Sequence, residues 1–170
     1  MVKLNYSISK VWHTFTQLFR EIKPCPSMDR NNYILSVLAC MKDASYSPVQ
    51  LQKILFLLER NISQKMGGPF FHFEPYHYGP FDKDVYREID KLVATNDIVL
   101  YQQGYSNVNR YLLSEKGYHK GMDVFNSYND EQKAYIKEVC AFVRSLSFEQ
   151  LLNSIYKAYP EMKVKSIFSS

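Results

Sequence analysis

Three helix-start signals followed by a hairpin signal restrict the fold of this chain more than any other feature of its 170 residues. Ser27 or Asp29 is placed to cap a helix in which Tyr33, Ile34, Val37, Leu38 and Met41 recur at helical spacing. Ser47, Pro48 and Gln50 then supply an N-cap, a proline at the first helical position and a glutamine at the third. A helix running to about Gln64 therefore opens on a capping box and turns Leu51, Ile54, Leu55, Leu58 and Ile62 to one side. Asp82 caps a third helix carrying Val85, Ile89, Leu92 and Val93 on one face. Residues 98–103 and 110–114 are rich in Val, Leu and Tyr and flank a polar loop, so they read as a β-hairpin. Three helices and then a two-stranded hairpin is the order of a winged helix, with the hairpin as the wing.

The remaining segments extend that frame. Met66-Gly67-Gly68-Pro69 breaks the chain, Phe71 and Phe73 alternate about His72 as in a short extended run, and Tyr78-Gly79-Pro80-Phe81 predicts a turn. Beyond Gly117 a short helix is expected at residues 122–125. Another opens at Asp130, with Ile136, Val139, Cys140 and Val143 aligned. Ser147 and Gln150 form a second capping box, for a helix with Phe148, Leu151, Leu152, Ile155 and Tyr156 on its face that stops at Pro160. Upstream, Ile8, Val11, Trp12, Phe15, Leu18, Phe19 and Ile22 form one amphipathic stripe that ends at Pro24 and Pro26. With no repeat or linker in view, residues 1–26 read as an N-terminal amphipathic helix extension, and residues 27–170 as one mainly α, winged-helix-like helical domain with a two-stranded β-hairpin wing. The apolar stripe must be covered. Docking on the same chain, and so a monomer, is favoured over a swapped dimer.

Composition removes several classes. A hydrophobic share of 46%, with only 6 glycines and 7 prolines, excludes disordered, collagen-like and low-complexity chains. The longest apolar runs, such as residues 54–58, fall far short of the roughly twenty residues that span a bilayer, so no membrane association is expected. No secretory signal is visible, and three cysteines without a C-x-x-C fit reduced thiols, which together predict a cytoplasmic protein. Fourteen tyrosines and eleven phenylalanines are more aromatic surface than a core this size hides, and tyrosine suits half-wet contact surfaces. The net charge of +4 is carried by residues 1–60 without a Lys/Arg cluster, which reads as a solvated face.

The chain has none of the usual nucleotide-binding or hydrolase motifs, and no enzyme activity is expected. His72, Glu74 and His77 are the one close set of possible metal ligands, at a spacing that matches no common zinc pattern; neither metal nor cofactor is expected there, and a hidden hydrolase would have to use that set. Cys40 and Cys140 read as core thiols. Asp82, Asp84 and Glu88 complement the dipole of the helix they begin. That helix also carries Lys83, Arg87 and Lys91 against Asp82, Asp84, Glu88 and Asp90, a poor surface for phosphates, although a winged-helix DNA-binding regulator stays the alternative reading. The wing offers Arg110 with Tyr105, Asn107 and Asn109, a set better suited to protein contact.

The run Leu51-Gln52-Lys53-Ile54-Leu55-Phe56-Leu57-Leu58, then Phe73-Glu74-Pro75-Tyr76-His77-Tyr78-Gly79-Pro80-Phe81, then residues 86–92, then Tyr111-Leu112-Leu113-Ser114-Glu115-Lys116-Gly117, resembles the Panacea domain of SocA-like antitoxins, phage-associated proteins and YwgA-like proteins. Tyr159-Pro160-Glu161 and Lys165-Ser166 resemble its end, so the likeness covers about residues 30–168. Ser114 stands where threonine is commoner, an exchange a helix cap tolerates. The resemblance implies a helical fold of winged-helix character, a toxin or phage-defence effector as protein partner, neutralisation by direct binding, and no catalytic residues. On that reading Phe73, Tyr76, Tyr78 and Phe81 are aromatic anchors beside the Gly79-Pro80 turn, with Lys53 and Arg87 as rim charges, and Tyr105, Asn107 and Arg110 are wing contacts.

Overall fold

A computed structural model describes residues 28–102 and 109–168. The stripe from Ile8 to Ile22, and Tyr105 and Asn107 of the wing, lie outside the described residues. The chain begins with helix α1 (Arg30–Ala39) and helix α2 (Pro48–Asn61), followed by a 3-10 turn (Ser63–Met66). Strands β1 (Glu74–Tyr76) and β2 (Gly79–Phe81) come next, then helix α3 (Lys83–Ala94) and strands β3 (Ile98–Gln102) and β4 (Asn109–Leu113). Helices α4 (Glu115–Ser127), α5 (Asp130–Ser145) and α6 (Phe148–Ala158) and a 3-10 turn (Pro160–Lys163) complete it. The fold is mainly helical and winged-helix-like: α1, α2 and α3 precede the β3–β4 wing, and the β1–β2 hairpin is inserted between α2 and α3.

The helix starts are local solutions to the unsatisfied N–H groups of a first turn. Asp29 caps α1 by accepting from Asn32 N at 2.8 Å. At α2 the box is reciprocal, Gln50 N donating to Ser47 Oγ at 3.2 Å and Ser47 N to Gln50 Oε1 at 3.0 Å. Ser147 and Gln150 repeat it at α6, and Asn129 and Gln132 form a third box at α5.

The core is built around α1, whose residues from Tyr33 to Ala39 are all buried, and around the face of α2 that carries Leu51, Ile54, Leu55, Phe56 and Leu58. Helix α4 lies against α1 at very short range. A Cβ on Gly121 would stand 2.4 Å from the Leu35 carbonyl oxygen, and one on Gly117 would stand 2.0 Å from that of Asp97. This corrects the short helix expected at residues 122–125. Helix α4 begins seven residues earlier, at Glu115 just after the Ser114 cap, because its two glycines are close-approach positions within a helix and not breaks in it.

The expected turn at Tyr78-Gly79-Pro80-Phe81 is also corrected. The chain reverses at His77 and Tyr78, and Gly79, Pro80 and Phe81 are the second strand of a hairpin with Tyr76 opposite Gly79 and Glu74 opposite Phe81. Gly79 carries φ +82, a conformation that suits glycine, directly after the reversal. Residues 70–73 form no strand, although Phe71 is buried and His72 exposed, as their alternation predicts. In the wing, β3 and β4 pair antiparallel with Leu100 opposite Tyr111. The outer edge of β4 is closed by Tyr46, which exchanges two backbone hydrogen bonds with Tyr111 at 2.8 and 3.0 Å.

Candidate functional site

Gln52 and Lys53, adjacent on α2, hold the segment that presents the aromatic anchors. Both side chains are buried. The Gln52 amide donates to the Asp82 carbonyl at 2.9 Å and accepts from Asp82 N at 3.1 Å, satisfying both halves of one buried peptide residue. Lys53 Nζ donates to the Pro80 carbonyl at 3.0 Å. Only 3% of Lys53 is exposed, and burial pushes its pKa down to about 7. Lys53 is therefore not the rim charge that its sequence position predicted. It lies beneath the hairpin because Pro80 offers a buried carbonyl that needs a donor.

Asp82 joins three elements, two of them at its carboxylate and one at its backbone. It accepts from His72 N at 2.6 Å and from Asp84 N at 2.8 Å, tying the extended residues 70–73 to the cap of α3 while its own peptide group is held by α2. Pro80 and Gly79 are buried, and a Cβ on Gly79 would stand 3.2 Å from the Tyr156 ring. From the other side, residues 164–168 are fastened over the reversal. Ile167 N donates to the His77 carbonyl at 3.0 Å, and Tyr156 Oη donates to Ser166 Oγ at 2.7 Å.

On this braced backbone Tyr76 and Tyr78 stand out, 46% and 44% exposed. Tyr76 stacks on His77 at 4.2 Å and on Phe81 at 5.0 Å, and Tyr78 meets the half-exposed Phe148 edge-on at 5.5 Å. Phe148 in turn meets Phe168 at 6.0 Å, and exposed Val164 and Ile167 continue the apolar surface. Beside Tyr76 and Phe81 a cleft of about 470 Å³ is lined by His72, Glu74, Lys83 and Lys165. Phe73 is not part of this surface: it packs inward against Phe56 at 5.6 Å and Phe71 at 6.2 Å. The contributions of Phe148 and of residues 164–168 were missed because they arrive from the far end of the chain, and no local spacing announces them.

The charges near the site are largely committed. Asp84 pairs with Arg87 and, at 2.9 Å, with Arg30; Lys91 pairs with Glu88 at 2.9 Å. Arg87 is exposed, as a rim charge must be, but Arg87 and Lys91 are each paired with a carboxylate one turn back on α3, which reduces what this helix can offer a phosphate. Arg110 braces the wing instead of projecting from it, donating to Ser45 Oγ at 2.9 Å and to the Ser45 carbonyl at 2.8 Å. Among the described residues, His72, Glu74 and His77 are not brought together as metal ligands, and no helix is long and apolar enough to cross a membrane. Cys140 is buried and Cys40 half-buried, both as free thiols.

Comparison with known proteins bears on the family. A comparison with curated proteins finds no match. Among solved structures, an organohalide-sensing transcriptional regulator crystallised without its ligand is similar at 15% identity, over 96% of this chain and 86% of that one, with a TM-score of 0.38, too low to carry an argument. The family described as antitoxin SocA-like, Panacea domain, matches residues 51–160. Those bounds begin at the residue before Gln52 and Lys53 and run past Tyr156, enclosing the hairpin and most of what braces it; since they hold well over half of the chain, this protein belongs to the SocA-like Panacea family.

Proposed function

We propose that this protein is a non-enzymatic, antitoxin-like binding module that neutralises a cytoplasmic toxin or phage-defence effector by covering it directly, with the β1–β2 hairpin as the contact surface. Family membership supports the antitoxin-like role. The observation that carries the choice of surface is the exposure of Tyr76 and Tyr78 on a backbone held by Lys53, Gln52 and residues 164–168. Large aromatic side chains on a rigid support bind with little ordering cost, and tyrosines of this kind dominate protein interfaces. Phe81, Phe148 and Ile167 widen the apolar centre, and Arg87 and Lys165 stand at its rim. No step of this function needs a cofactor or a catalytic group.

The test is co-expression with the product of the neighbouring gene. The parent chain is expected to restore growth and to co-purify with that product. Tyr76→Ala with Tyr78→Ala is expected to weaken the complex by tenfold or more, while the melting temperature stays near that of the parent because both rings are half-exposed. Full rescue by the double variant would refute the hairpin as the contact surface.

A further inference from the structure

Helix α5 buries Ile136, Val139, Cys140 and Val143 and leaves another side open among the described residues. Ala134 and Ala141 are exposed there, two turns apart, and Phe142 beside them is 46% exposed. At the N-terminal end of this side a groove of about 270 Å³ runs between Ile62 and the half-buried Tyr135, with the exposed Glu131 and Glu138 along it. The described chain begins beside that groove. Tyr128 Oη, two residues before α5, donates to Met28 Sδ at 3.5 Å. Met28 also lies next to the 3-10 turn, where a Cβ on Gly67 would stand 4.0 Å from its Cγ. The same turn borders the groove, since the Lys65 carbonyl accepts from Gln132 of α5 at 2.8 Å.

We propose that this side of α5 is the docking site of the chain's own N-terminal stripe, with residues 8–22 lying along it as a helix and Phe19 and Ile22 in the groove. The five residues 23–27 span at most about 18 Å, so Ile22 sits close to the point where Met28 is held. Because the stripe ends where α5 begins, the two helices run antiparallel, and their lengths match at about 22 and 24 Å. Trp12 and Phe19 have the same spacing as Ala141 and Ala134. The register that sets Phe19 over Ala134 therefore sets Trp12 over Ala141, a bulky ring against a small side chain at both levels. Charge agrees with the placement. Residues 1–27 carry Lys3, Lys10, Arg20 and Lys23 against Glu21 alone, and Arg20 and Lys23 arrive at the end of α5 that bears Glu131. The hairpin surface, by contrast, is edged by Lys83 and Lys165, of the segment's own sign. The short connector is fixed beside the groove, which places the segment within reach of its own chain without a second copy. No residue of the groove belongs to the hairpin surface, so this docking does not depend on the toxin-binding proposal.

Trp12 is the one tryptophan of the chain, so the fluorescence of the full-length protein reports on the stripe directly. The expected emission is blue-shifted and protected from acrylamide, and it stays so across a micromolar concentration series in which light scattering gives a monomer. Ala134→Arg combined with Ala141→Arg puts bulky cations where the two rings would sit. Both positions are exposed, so the helical circular-dichroism spectrum is expected to persist while the emission shifts red to its position in urea and the protection is lost. Leu100→Glu, at an exposed apolar position on the wing, is expected to change neither. A carbodiimide, which joins a lysine amine to a carboxylate in contact, keeps the test decisive if the arginine pair misfolds: in the parent it is expected to link Lys23 to Glu131 or Glu138 within one chain. A Trp12 that is solvent-exposed in the parent, an emission unmoved by a folded arginine pair, a Lys23 linked only to carboxylates elsewhere, or a dimer whose dissociation shifts the emission red would each overturn the proposal.

Discussion

The side-chain amide of Gln52 clasps the backbone of Asp82, thirty residues away, with one hydrogen bond to its carbonyl and one from its N–H. A carboxylate in that position accepts but does not donate, and it carries a charge where 1% of the residue is exposed. Gln52→Glu is therefore expected to destabilise the protein by about 1–3 kcal/mol at neutral pH. Burial raises the pKa of the introduced carboxyl, so the folded state binds a proton more readily than the unfolded state and the deficit narrows as pH falls. Thermal denaturation of parent and variant at pH 5 and pH 7 reads this directly.

Lys53 makes the opposite demand. Its pKa is about 7 in the folded protein against an ordinary value of 10.5, so between those values the unfolded chain holds the extra proton. Stability then rises with pH across that window, and the cost of burying the charge, up to about 5 kcal/mol at 1.4 kcal/mol per unit, is fully present below pH 7. Lys53→Met removes the titration and leaves the Pro80 carbonyl without its donor. The melting-temperature difference between parent and variant is expected to shift in the parent's favour from pH 7 to pH 9.5; a constant difference would contradict the buried-lysine account.

Gly117→Ala would bring a methyl group to 2.0 Å from a backbone oxygen, and no side-chain rotation relieves that contact. The start of α4 and the Asp97 turn would have to separate, which is expected to cost about 3 kcal/mol or more. Gly67→Ala is the control: its φ is +89, but its Cβ would meet nothing nearer than 4.0 Å, so only backbone strain of about 1–2 kcal/mol applies. Urea denaturation midpoints should rank the two in that order.

Asp97 is buried, and burial alone would raise its pKa, yet hydrogen bonds from Lys120 and Thr95 and the Lys116 ammonium 3.3 Å away hold it below its ordinary value. The unfolded chain therefore binds the acid proton first, and this stabilisation is present above the ordinary carboxylate range and lost as pH falls through the folded value. Asp97→Asn is expected to lose about 1.5–3 kcal/mol at pH 7, as for hydrogen bonds to a charged group, and nothing relative to the parent at the acid end. Lys120, whose ammonium lies 2.9 Å from Asp97, is part of this arrangement.

The legible parts of this protein are those whose physics closes within a few residues. A capping box needs only residues three apart, so Ser47 with Gln50 and Ser147 with Gln150 announced α2 and α6 correctly. Helical spacing likewise marked Ile34, Val37 and Leu38 as core, and Asp82 as the start of α3. The candidate site was legible only in outline. Tyr76, Tyr78 and Phe81 lie on the hairpin, with both tyrosines about half exposed, but Phe73 faces inward and the reversal falls two residues earlier than the glycine and proline indicated.

Sequence alone determined where every helix but α4 starts, which faces are apolar and that a hairpin follows three helices, because caps and periodicity are properties of neighbouring residues. Tertiary structure alone decided that Lys53 is buried, that Arg110 binds Ser45 and that Gly117 and Gly121 sit inside a helix. Each of those outcomes depends on a group distant in sequence: the Pro80 carbonyl for Lys53, the Ser45 loop for Arg110, and the backbones of Asp97 and Leu35 for the two glycines. A polar side chain or a missing Cβ has no fixed meaning until its neighbour across the fold is in place, since whether it is satisfied or clashing is a matter of one or two ångströms between segments that only packing brings together.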